Sequence, residues 1–250
     1  MSNASARTLQ IKGSTANQAD SVLGLVLKPF KFFRGLLLAD RPQAQTSRDA
    51  KVAFGQPGQT SRPAPTPAFV QLRDLRRQVS ELTRTRDWLS LAELIQNWDQ
   101  SRSCAADGTR LARQALFAMA DALASGAGID GMRQIDAKAI EPIQNLLGCY
   151  PKHYGLAASL AYLHICRAWN ANKAGDLEVM ASDRAQAAEL LEQYDATQLN
   201  APVLAGLSFD MLPLLADKQQ LMQSRYQTWA ELDPEDQVPH AEYHFLQLPN

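Results

Sequence analysis

From Phe69 onward apolar residues recur every three or four positions, and nowhere does apolar–polar alternation last long enough to make a strand. That periodicity limits the fold more than any other feature. Phe69, Leu72, Leu75, Arg76, Val79 and Leu82 mark one side of a first helix, with Arg73, Asp74 and Arg77 off the stripe. In "DWLSLAELIQNW" the residues Trp88, Leu91, Ala92, Ile95 and Trp98 share a face. "ADGTR" reads as a turn, with Thr109 as N-cap of a helix carrying Leu111, Ala115, Leu116, Met119 and Leu123. The glycines of "ASGAGIDG" interrupt the pattern, and further helices are expected over 132–148, 154–170, 176–194, 202–216, 218–232 and 239–247. β-Branched residues are sparse, whereas Ala, Leu, Gln and Arg dominate, and these favour helix. The expected fold is all-α, with short turns making antiparallel helical hairpins that form a solenoid-like or bundle domain over 69–250.

The residues before Phe69 are built differently. Residues 1–20 are small, polar and aperiodic, and read as a disordered tail. Residues 40–68 carry Pro42, Pro57, Pro63, Pro65 and Pro67 among Gln, Ser, Thr and Ala, the composition of a flexible, partly extended linker. Charge divides the chain as well. Residues 1–86 hold 14 Lys/Arg and 5 Asp/Glu, a balance of +9, and the remaining 11 Lys/Arg and 21 Asp/Glu give −10. A basic arm attached to an acidic domain attracts anionic surfaces, acidic partners or the domain itself.

Between tail and linker lies "SVLGLVLKPFKFFRGLLL", residues 21–38. A membrane span needs about 20 apolar residues, and each central Lys or Arg costs roughly 2.5–3.5 kcal/mol on insertion scales. Lys28, Lys31 and Arg34 therefore argue against a span, and no small-residue cleavage site follows that would make a signal peptide. On a helical wheel the three cations share one arc. Val22, Leu25, Val26, Phe30, Phe32, Phe33, Leu36 and Leu37 take the opposite side, while Leu27 and Leu38 fall on the polar face. Residues 21–39 thus read as a basic amphipathic helix, kinked before Pro29, that docks onto an anionic membrane surface or a partner.

The end of the chain carries a family resemblance. In "YQTWAELDPED" an aromatic precedes a Leu-Asp-Pro turn, with Tyr226, Leu232, Asp233 and Pro234 on the positions that close a tetratricopeptide repeat. Residues 154–248 resemble a degenerate tetratricopeptide-like domain. Gly206, Phe209, Asp210, Pro213 and Trp229 depart from the repeat's usual residues. The resemblance implies a non-enzymatic interaction scaffold with a concave groove for a protein or peptide partner. Tyr162, Trp169, Tyr226 and Trp229, large amphipathic side chains near predicted helix ends, are the groove candidates.

Candidate chemistry is sparse. His240 and His244 stand four residues apart on one helical face, the spacing of two zinc ligands, but Glu242 falls off that face. They form a weak metal pair, set against the plainer reading of two half-exposed histidines beside Tyr243 and Phe245. A helical enzyme would draw on His153, His164, His240 or His244. His164 and Cys166 point to different faces and read as core residues. Asp176, Glu178, Asp183, Glu189, Glu192 and Asp195 read as a solvated acidic face. Arg73, Arg76, Arg77, Arg84 and Arg86 lack interleaved aromatics, which argues against nucleic acid. No catalytic constellation and no cofactor motif emerges. Cys104, Cys149 and Cys166 form no CxxC pair, which fits a reducing compartment and a cytoplasmic location, peripheral on the inner face of a membrane if residues 21–39 bind lipid.

Overall fold

The computed structural model describes residues 64–125 and 134–247, so the tail, the amphipathic segment and nearly all of the linker lie outside the described residues. The docking side chains Leu25, Val26, Lys28, Phe30, Lys31, Phe32, Phe33, Arg34, Leu36 and Leu37 lie outside them too. The described part is all-α, with no strand. Its helices are α1 (Pro67–Thr85), α2 (Trp88–Gln100), α3 (Leu111–Leu123), α4 (Ala137–Cys149), α5 (Tyr154–Ala174), α6 (Leu177–Gln193), α7 (Pro202–Asp210), α8 (Lys218–Leu232) and α9 (Val238–Gln247). A single 3-10 turn, Leu212–Leu214, joins α7 to α8.

Local chemistry sets most of these boundaries. Thr66 accepts the Phe69 N–H at the start of α1, where Pro67 occupies the first turn without a wasted donor. Asp87 and Asp176 cap α2 and α6 in the same way, accepting the N–H of Ser90 and of Val179. Gly175, at φ 78°, ends α5 in the left-handed region that a residue without Cβ adopts freely. Thr109 does not cap α3: its place is taken by Arg110, whose guanidinium has only donors and so cannot accept a helix N–H. The helix expected over 202–216 stops at Asp210, since Pro213 removes a backbone donor and disfavours α geometry at Leu212.

The α5 helix is the centre of the core. Sixteen of its residues are buried, on every side, and α2, α3, α4, α6 and α7 all pack against it. Small residues (Ala157, Ala158, Ala161, Ala168) let these neighbours approach, and Gly155 lies where a Cβ would collide with the Ala92 carbonyl of α2. Because α2 packs on α5 across two intervening helices, helices meet across the sequence and not only between adjacent hairpins. That is bundle packing; in a solenoid each repeat touches only the next. Beyond α7 the order becomes sequential, with α8 on α7 and α9 on α8 around Phe209, Leu212 and Trp229.

The first helix is turned slightly from its expected stripe. Ala68, Leu75, Val79 and Thr83 are its buried residues, whereas Phe69 and Arg76 face outward. Its arginines stand on the solvent side, with Asp74 near Arg73 and Arg77, and Glu81 bonded to Arg84.

Candidate functional site

The groups with unusual chemistry gather where α2 and α3 meet α7, α8 and the α8–α9 turn. Trp98, Asp99, Arg102, Arg110, Arg113, Trp229, Asp233 and Asp236 line a cleft there, about 330 Å³ with its open mouth included. Three arginines from the first half of the domain reach groups supplied by the second half. Arg102 donates to the Asn200 side-chain oxygen (2.7 Å) and to the Leu232 carbonyl (3.1 Å). Arg110 donates to Asp233 at 2.6 Å. Arg113 donates to Asp210 of α7 and Glu242 of α9, both at 2.9 Å. Its guanidinium carbon also lies 4.6 Å from the centre of the Trp229 ring and 5.6 Å from that of Phe117, a cation–π arrangement inside the core.

Asp99 completes the seam. It sits on the buried face of α2, at the position continuing Leu91, Ala92 and Ile95. Its carboxylate accepts the Val203 N–H (2.9 Å) and the Tyr154 hydroxyl (3.2 Å). The first bond caps α7, whose own N-cap, Ala201, has no polar side chain. Burial pushes the Asp99 carboxyl up to about 7 against these favourable bonds. Burial likewise raises Asp210 and Asp236, and lifts Glu242 to about 8. The cleft's arginines are engaged with carboxylates and carbonyls of neighbouring elements, and only the Arg110 Nε is a buried donor left over. Such an arrangement cross-links the helices that meet at the cleft.

A second buried charged cluster ties α5 to α6. His164 Nδ1 lies 2.7 Å from Asp183, which also accepts from Arg167 Nε at 3.0 Å. Asp183 is 2% exposed, so it is not part of a solvated acidic face as its neighbours suggested. Asp176, Glu178, Glu189, Glu192 and Asp195 do face solvent. Cys166 is buried nearby on the same helix.

Of the groove candidates, Tyr162, Trp169 and Trp229 belong to the interior, at 6%, 2% and 2% exposure, and offer no open surface. Trp229 packs against Phe209 with ring centres 5.8 Å apart and planes tilted by 52°, and underlies Arg113, and Tyr162 packs on Phe117. Large aromatics on helices that are enclosed from two sides fill the core first. Tyr226 differs. It is half-buried and stacks on Tyr243 with ring centres 4.2 Å apart and planes at 17°. Its hydroxyl lies 2.9 Å from His240 Nδ1, and Tyr243 in turn meets the exposed His244 edge-on. The result is a four-ring ladder, His240–Tyr226–Tyr243–His244, on the outer side of α8 and α9.

As metal ligands His240 and His244 lack company. Glu242 is turned inward to Arg113, and no group of three His, Cys, Asp or Glu able to hold a metal occurs among the described residues. Among the described residues no helix is long and apolar enough to cross a membrane.

Comparison with protein-family models, curated proteins and solved structures gives no match.

Proposed function

We propose that the helical domain is a non-enzymatic interaction scaffold, and that the basic amphipathic segment 21–39 docks it to an anionic membrane surface or to a partner. The observation that carries this reading is the ring ladder on α8 and α9. Stacked, half-exposed tyrosines present large amphipathic area at low entropic cost, the kind of side chain that dominates binding surfaces. The charged groups of the cleft, by contrast, are committed to joining helices. The resemblance of "YQTWAELDPED" to the close of a tetratricopeptide repeat supports the same class, and its Tyr226 is one of the two inner rings of the ladder. A protein or peptide is the partner that suits such a face. A cytoplasmic chain held peripherally at the inner membrane face accords with the cysteine pattern and with the wheel of residues 21–39.

Flotation of the full chain with anionic vesicles tests the docking half. Co-flotation is expected, and should be lost in a Phe32→Asp/Phe33→Asp variant; equal flotation of both chains sinks lipid docking through this segment. Photo-cross-linking from position 244, the exposed end of the ladder, tests the scaffold half.

A further inference from the structure

Arg113 faces two carboxylates, and the three groups come from three different helices. Asp210 and Glu242 have side chains 9% and 7% exposed, and Arg113 is the only cation within ion-pair distance of either among the described residues. One guanidinium balances one carboxylate. Two ionised carboxylates here would leave a net negative charge in a site screened from water, where like charges disfavour ionisation strongly. Other neighbours do not relieve it. The α8–α9 turn contributes Asp236, a further negative group, and Asp233 beside it is taken up by Arg110. The α8 helix contributes the apolar Trp229, the Tyr226 hydroxyl bonded to His240, and Arg225, which donates to the Ser208 carbonyl instead. On α9 itself His240 is bonded to Tyr226 and His244 is exposed.

We infer that Arg113, Asp210 and Glu242 form a proton-held latch on the C-terminal helix: the two carboxylates share one guanidinium and one proton, and loss of that proton loosens α9 from α7 and α8. The proton leaves Glu242 to solvent and the Glu242 carboxylate stays behind, facing Asp210 and Asp236. Burial pushes the Glu242 carboxyl up to about 8, which puts the release just above neutrality. The helix is suited to such release. It has ten residues, of which only Pro239 and Glu242 are fully buried, while Val238, Tyr243 and Leu246 pack partly exposed against the Phe209–Trp229 cluster. When α9 loosens, the Tyr226–Tyr243 stack parts and the Trp229 side of the core opens.

Carbon-13 NMR of the Glu242 carboxyl in the full chain, between about pH 6 and about pH 9, tests the latch together with the α9 amides. Expected is half-titration near pH 8, with amide shifts over 238–247 following the same midpoint. Glu242→Gln, which keeps the shape without the titration, should abolish the α9 response. In Asp210→Asn the midpoint should drop by about one pH unit or more, because Glu242 then has Arg113 to itself. Glu242 ionised throughout, titration without movement of α9, or an unchanged α9 response in Glu242→Gln would each overturn the latch.

Discussion

The Arg113 guanidinium lies over Trp229 because Gly206 leaves the space for it. A Cβ at Gly206 would stand 2.8 Å from an Arg113 guanidinium nitrogen and 3.1 Å from the Trp229 ring. Gly206→Ala is therefore expected to push the guanidinium off its ring and stretch its bonds to Asp210 and Glu242. The expected loss is about 1–3 kcal/mol, read as a lower urea midpoint with changed tryptophan fluorescence.

Gly155→Ala should cost more, about 3 kcal/mol or above. Its Cβ would meet the Ala92 carbonyl, which is backbone, so α2 and α5 must separate rather than one side chain turning aside. Urea denaturation of both alanine variants ranks the two positions, and a milder effect at 155 than at 206 would refute the close approach of α2 to α5.

Removing Arg113 alone should be severe. Arg113→Met leaves two buried carboxyls without their cation and is expected to lose roughly 3–5 kcal/mol. Adding Asp210→Asn and Glu242→Gln to that variant should recover much of the loss, since the neutral groups no longer need it. Equal stability of the single and triple variants would show that the three residues are not energetically coupled.

Stability should fall as pH rises from acid to mildly alkaline. Asp99 and Glu242 have ordinary values of 3.8 and 4.5, and the fold raises them to about 7 and about 8. Between each pair of values the folded chain holds a proton that the unfolded chain has released. Their contribution is thus complete below about pH 4, declines as pH rises, and levels off above about pH 8, by up to about 1.4 kcal/mol per pH unit for each group. Thermal melts at about pH 5.5 and about pH 8 check the direction, and Asp99→Asn or Glu242→Gln should flatten the slope.

Much of the architecture was legible as periodicity. The face of α2 from Trp88 to Ile95 was readable because one side of that helix packs and the other is wet. The α5 helix was recognisable as apolar but not as central, since a helix buried all round has no stripe to point with. The seam was missed. Asp99, Arg113 and Glu242 look like ordinary surface charges until their partners, about a hundred residues away in sequence, are in place. A signal existed at Asp99: a carboxylate on the continuation of an apolar stripe needs a partner. Asp183 misled for the converse reason, because its acidic neighbours are exposed while it alone turns toward His164. Tyr226 stands on the surface and Trp229 three residues later in the core, since α8 packs on α7 with one side and on α9 with another.

The central claim, that the domain is a scaffold binding through the α8–α9 ring ladder, is tested most directly by photo-cross-linking in cells expressing the full chain. A photoreactive residue replaces His244, the exposed end of the ladder, and in a control chain replaces the exposed Gln78 on α1. A discrete cross-linked species is predicted from position 244, competed by excess wild-type chain but not by a folded Tyr226→Ala variant, and absent from position 78. No competable species at 244, or the same species from both positions, would contradict the account.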